Sequence, residues 1–146
     1  MKTDTLIIDE MRPSDVHDVC ALWHSIPELN MSASFDSAER ILYYLGRNPG
    51  LSSVARSDGR IVGAVLCGHD GRRGSFYHLG VLPDFRRGGI ARRMVDRSIS
   101  ALNGIGIHTW FLFTHEKNLQ AQSFWRKTGW QHCTWVQYHY REAEKH

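Results

Sequence analysis

The 146-residue chain is short of cysteine, short of proline and free of long apolar runs, and each shortage removes a class of protein. Its three cysteines, Cys20, Cys67 and Cys133, are odd in number and widely spaced, with no Cys-x-x-Cys pair. That pattern argues against a disulfide framework, a zinc ribbon or a dithiol redox site, and fits reduced thiols in a cytoplasmic protein. No segment approaches the ~18 consecutive apolar residues of a membrane span, and the N-terminus lacks a basic stretch followed by an apolar one. Neither a membrane nor an export route is expected. Eighteen basic residues against fifteen acidic ones give a net charge of +3, scattered rather than gathered into a stripe. A nucleic-acid partner is therefore not expected: of the arginines at 72, 73, 86, 87, 92 and 93, the last four are better explained by anion binding and a solvated helix face. Nine histidines are present, yet none forms a His-x-x-x-His pair, so no metal is expected.

What is present reads as one domain over residues 1–146, with 42% apolar residues and length enough for a normal core. Residues 5–10 read as a short strand. Pro13-Ser14-Asp15 then opens a helix whose Val16, Val19, Cys20 and Trp23 share one face. Asp36 with Glu39 three residues on has the form of a capping box for a second helix carrying Ala38, Ile41, Leu42 and Leu45. Strand-like runs at 51–56 and 61–67 flank Ser57-Asp58-Gly59, a hairpin signal, and Asp70 to Gly74 turns the chain into a third run, 75–82. A helix is expected from Gly89 to about Leu102, a doubly buried strand at 107–114, a helix capped by Asn118 and ending at Gly129, and an aromatic strand at 130–140. The order is β-α-α-β-β-β-α-β-α-β, a mixed α/β class.

The chemistry concentrates where the strand at 75–82 runs through Pro83-Asp84-Phe85-Arg86-Arg87-Gly88-Gly89-Ile90-Ala91 into a helix. First-turn N–H groups have no intrahelical partner, and the helix dipole places roughly half a positive charge there. A phosphate fits such a site. Gly88 and Gly89 let the backbone approach the ligand closely, and Arg86 and Arg87 add charge-assisted donors.

Leu79-Gly80-Val81, then Arg86-x-x-Gly89-x-Ala91, then Asn118-x-x-Ala121-x-x-Phe124-Trp125-x-x-x-Gly129-Trp130, resembles the GNAT N-acetyltransferase superfamily. The resemblance implies a GNAT-like fold around one mixed, largely antiparallel sheet, and an N-acyltransferase that uses acetyl-CoA without a metal. It implies a pyrophosphate on the amides of Arg86, Arg87, Gly88, Gly89, Ile90 and Ala91. The pantetheine arm would lie along Leu79, Gly80 and Val81, and Asn118, Phe124 and Trp125 would lie near it or the thioester. The Val81 N–H would serve as the donor to the carbonyl oxygen that becomes negative.

The acceptor is expected to be a primary amine of a small molecule or a protein. An alkyl amine of pKa about 10 must lose a proton before attack, so a base is required. His78 and Tyr77 are the first candidates, and regular strand alternation would put them on opposite faces. His115 and Glu116 stand behind them, while His17 and His24 read as surface residues of the first helix. An aromatic acceptor wall of Trp23, His24, Met31, Phe35 and Tyr43 is a further expectation. The family usually carries a tyrosine acid where this chain has Trp125. Departure of a thiol of pKa near 8.5 as thiolate at pH 7 costs only about 2 kcal/mol, so the exchange slows transfer without forbidding it. The alternative it raises is an acyl-CoA-binding sensor with little turnover. The strand at 130–140 is expected either to pair across a homodimer or to form a sheet edge.

Overall fold

The computed structural model describes residues 5–144. They divide into two compact units, Met1–Phe113 and Thr114–His146. The first unit holds β1 (Leu6–Glu10), α1 (Val16–His24), α2 (Ala38–Arg47), β2 (Ser53–Ser57), β3 (Arg60–His69), β4 (Gly74–Val81), α3 (Ile90–Gly104) and β5 (Trp110–Leu112). The strands form one sheet in the order β1-β2-β3-β4-β5; the first four pair antiparallel and β4 pairs β5 in parallel through the α3 crossover. The mixed α/β class follows directly.

The two faces of the sheet are separated by the helices. A side-chain atom added at Gly63 or Gly74 would meet Met94 or Leu102 of α3, whereas one at Gly80 would meet Trp23 of α1 and one at Gly68 would meet Tyr44 of α2. The α1 stripe is buried at Val16, Val19 and Trp23, with Leu22 joining it and Cys20 half-buried. Each such side chain contributes about 1.5–3 kcal/mol. The α3 helix buries Ile90, Met94, Val95 and Leu102, and it is also pinned by polar contacts. Ser98 Oγ donates to the Leu51 carbonyl (2.6 Å) and lies 2.7 Å from Ser53 Oγ, while Arg97 reaches the Gly50 and Ser52 carbonyls. These bonds fix the helix whose first turn faces the site.

The hairpin at Asp58-Gly59 forms as expected, with both residues at positive φ. Three expectations fail. The second helix is capped by Ser37, which accepts from the Arg40 N–H, and not by Asp36, whose carboxylate is engaged elsewhere. The strand expected at 107–114 shortens to Trp110–Leu112, and its residues are half-buried rather than buried on both faces. Residues 130–140 form no strand, and Trp135, Val136, Tyr138 and Tyr140 are exposed. Alternating aromatics favour a strand only when a neighbour supplies ladder bonds, and β propensity alone supplies none.

The second unit contains α4 (Leu119–Lys127). Asn118 caps it, its side-chain oxygen accepting from the Ala121 N–H at 3.1 Å. The Trp125 ring packs 5.0 Å from both Phe124 and Trp130.

Candidate active site

The site is organised by an irregularity in β4. Between Ala64 and Leu66 on β3, the register moves three residues on β4, from Gly80 to Tyr77, so β4 carries one extra residue. His78 sits there at φ 56, in the left-handed region. Histidine, asparagine and aspartate tolerate that region better than most residues. Such a bulge reverses the facing of everything beyond it. Gly74 and Gly80 would share a face in a regular strand, yet one looks at α3 and the other at α1.

The bulge also corrects the expected placement of Tyr77 and His78 on opposite faces. The Tyr77 ring meets Tyr44 of α2 edge-on at 6.3 Å, and the His78 ring lies 5.3 Å from Trp23 of α1. Both therefore face the helices α1 and α2. His78 Nε2 lies 2.9 Å from Asp36 Oδ1, with side chains 15% and 5% exposed respectively. Asp36 Oδ2 accepts from the Ser32 N–H at 2.8 Å. Burial, then the Asp36 carboxylate, push the neighbouring Cys20 thiol up, and burial pushes the Tyr44 hydroxyl up. The Trp23 indole N–H is buried with no hydrogen-bond partner among the described residues, an arrangement that costs about 1–3 kcal/mol.

On its other edge β4 is open beyond the third pair. Its pairing with β5 runs only from Gly74↔Trp110 to Phe76↔Leu112, leaving Tyr77 to Val81 paired with β3 alone. The Leu82 N–H donates to the Val62 carbonyl at 2.9 Å. Antiparallel ladders alternate, so Val81, opposite Gly63, directs its N–H and carbonyl away from β3. Arg86 Nε donates to that outward carbonyl at 2.9 Å. The Val81 N–H therefore points to the open edge, and Leu79 and Gly80 lie on the same free stretch. An extended ligand carrying amides can add there as a strand would.

The turn from β4 into α3 follows at once. Arg87 and Gly89 are both left-handed, at φ 74 and 77, and Gly89 is the N-cap residue with no side-chain cap. The space in front of Gly88 and Gly89 is open. The first-turn N–H groups of Ile90 and Ala91 are thus left for an anion. Arg86 is held against the end of β4, so its main part is to fix this turn, while Arg87 is exposed. The residues present fit a pyrophosphate followed by an amide-bearing arm.

Other expected residues fall elsewhere. Trp23 is completely buried and Met31 packs on the core, so neither belongs to an open aromatic wall; His24, Phe35 and Tyr43 are exposed, as is His17. Asn118, Phe124, Trp125, His115 and Glu116 belong to the second unit, where His115 Nδ1 accepts from the Lys117 N–H. Asp36 escaped sequence reasoning because its spacing to Glu39 already had an explanation as a helix cap. Among the described residues, no group of three or more His, Cys, Asp or Glu side chains is placed to hold a metal ion.

Fold and site together define a class: a mixed sheet whose parallel pair, β4 and β5, is joined over three residues, with a helix start lacking a side-chain cap just beyond the bulged strand β4. The sequence model of the acetyltransferase (GNAT) family matches residues 17–130, and the chain belongs to that family. It is 36% identical over 107 residues to an acetyltransferase of Photorhabdus laumondii, covering 73% of each chain. It is 45% identical over 74 residues to an acetyltransferase of Pectobacterium atrosepticum, covering 51% of this chain and 52% of that one. The matched segments thus span between about half and three quarters of these curated relatives. Among solved structures, AAC(6')-Iy in complex with the bisubstrate analog CoA-S-monomethyl-acetylneamine superimposes with a TM-score of 0.78 over 95% of this chain and 99% of that one. At 16% identity that likeness speaks for the fold.

Proposed function

We propose that the protein is an acetyl-CoA-dependent N-acetyltransferase acting on a primary amine of a small molecule or on a protein amino group. The observation that carries the reading is the outward-facing Val81 N–H on an unpaired strand edge, eight residues before Gly89, the N-cap of a helix start without a side-chain cap. The donor supplies an activated acyl carbonyl. Leu79 and Val81 offer it backbone partners, with Gly80 between them turned to β3; the amides near Gly88, Gly89, Ile90 and Ala91 hold its pyrophosphate; Arg87 adds charge. The Val81 N–H donates to the carbonyl oxygen that gains negative charge as the amine adds.

His78 is the base. It lies three residues before Val81 on the same strand and takes a proton from the ammonium form of the acceptor, freeing the lone pair that forms the N–C bond. As the C–S bond breaks, the sulfur carries the electron pair away, and the second nitrogen proton passes to it through water. Tyr77, beside the same helices, lines the acceptor side. The family match crosses from the first unit into the second, which supports one catalytic domain over the whole chain. Three free cysteines fit a cytoplasmic setting.

The test is to incubate the protein with acetyl-CoA and a library of small amines and peptide N-termini while following free thiol. Turnover with at least one primary amine is expected. Silence across the library, with CoA binding measurable by calorimetry, overturns the transferase reading in favour of an acyl-CoA sensor.

A further inference from the structure

The Asp36 carboxylate is placed in a way that capping alone does not explain. Ser37 performs the capping of α2, which leaves the preceding Asp36 available. Its two oxygens are divided between the Ser32 N–H and His78 Nε2. Its side chain is 5% exposed, and among the described residues no lysine or arginine pairs with it. A buried carboxylate needs a compensating group. The imidazole is the group on hand.

Resting on the proposed role of His78 as base, we infer that Asp36 is a positioning residue that selects which nitrogen of His78 works. A carboxylate accepts and does not donate, so Nε2 must carry hydrogen to bond Asp36. The lone pair of the neutral ring is then confined to Nδ1, and Nδ1 is the atom that receives the proton from the acceptor amine. Once Nδ1 is protonated, the positive ring stands beside a carboxylate already in place, with no rearrangement at the moment of reaction. Nε2 keeps its hydrogen throughout, so one proton is gained from the amine and none moves to Asp36.

Three further features hold the ring in this orientation. The bulge sets the His78 backbone at φ 56, so the side chain leaves β4 toward α1 and α2. The buried Trp23 indole, at 56° to the imidazole, blocks one side of it. The Ser32 N–H fixes the carboxylate itself. Among the described residues, Cys20 from α1 lies within reach of the Asp36 charge, and Tyr77, next to His78 on β4, has the Tyr44 ring of α2 edge-on to it. Cys20 and Tyr44 are both shifted upward, which keeps the thiol and that hydroxyl neutral near pH 7.

The test combines imidazole nitrogen NMR on the ligand-free protein with kinetics. In the wild type at pH 8, His78 should show a protonated Nε2 and a bare Nδ1. Asp36→Asn removes the charge and leaves one oxygen acceptor for the two donors, Ser32 N–H and His78 Nε2–H, so the tautomer is no longer fixed, and the acidic limb of the kcat/KM profile should move to lower pH. Asp36→Ala removes both, so His78 should show mixed tautomers and kcat should fall about 10- to 100-fold with CoA affinity unchanged. The amine is the best one from the library above. A wild-type Nδ1–H tautomer overturns the inference. So does an unmoved acidic limb in Asp36→Asn, which decides the matter if Asp36→Ala does not fold. The expected tautomer in a wild type that acetylates no amine overturns instead the reading of His78 as a base, and with it the catalytic part of Asp36.

Discussion

The turn at Arg86–Ala91 and the cluster at Asp36–His78 lie near opposite ends of the same stretch of β4 and are built from different materials. The turn is backbone: two left-handed residues, two glycines and a helix start, all within six consecutive positions. The cluster is side chain: a carboxylate from the turn before α2, an indole from α1 and an imidazole from β4, separated by up to 55 positions between Trp23 and His78. A backbone site tolerates most side-chain exchanges and fails when its main-chain path is disturbed. A side-chain site fails when one atom is lost.

The largest expected effect tests that contrast at the cluster. His78→Asn keeps a residue suited to the left-handed bulge and deletes the base, so kcat should fall about 100- to 1,000-fold. CoA affinity by calorimetry should stay within twofold. A loss of CoA affinity equal to the loss of kcat would erase the distinction between the two regions.

Gly88→Glu should do the reverse. Gly88 is not left-handed and has open space before it, so the substitution adds a charge without backbone strain. Repulsion from a pyrophosphate should weaken CoA binding by about 2–3 kcal/mol, some 30- to 150-fold. Near-normal kcat at saturating acetyl-CoA is expected, and unchanged affinity would refute the placement of the pyrophosphate.

A third change probes the frame that both regions share. Burial would raise the Asp15 carboxyl, but the paired bonds from Arg56, both 2.8 Å, and the Arg12 N–H hold it below the ordinary value. A depressed carboxyl adds stability above its unfolded pKa of about 3.9 and loses it as pH falls through the folded value. Arg56→Met should lower stability by about 2 kcal/mol at pH 7. The difference from wild type in urea unfolding should narrow below about pH 4, and a gap that stays constant to pH 2 would assign it to packing instead.

The smallest effect sharpens the backbone side. Gly89 lies at φ 77, so Gly89→Ala puts a Cβ in a strained conformation costing about 1 kcal/mol. CoA affinity should drop several-fold, visible by calorimetry, with the His78 pH profile unmoved.

Much of this was legible in the residues, and the failures share a cause. Val16, Val19 and Trp23 reported their helix face by spacing, and Asp58-Gly59 reported its hairpin by backbone preference. Asp36 misled because a local explanation, the capping box with Glu39, competed with a partner 42 positions away. Tyr77 and His78 misled because alternation holds only in a regular strand, and nothing in Phe76-Tyr77-His78-Leu79 announces an extra residue. Residues 130–140 have the alternation of a strand and none of its ladder.

By itself, the sequence determined the turn proposed to hold the pyrophosphate, since Arg86 to Ala91 needs only near-neighbour backbone geometry, glycine at positive φ and a helix dipole. The tertiary structure alone decided the bulge at His78, the open edge at Val81 and the meeting of Asp36 with His78. Those depend on hydrogen-bond register between strands and on contacts between distant segments, which no local preference encodes.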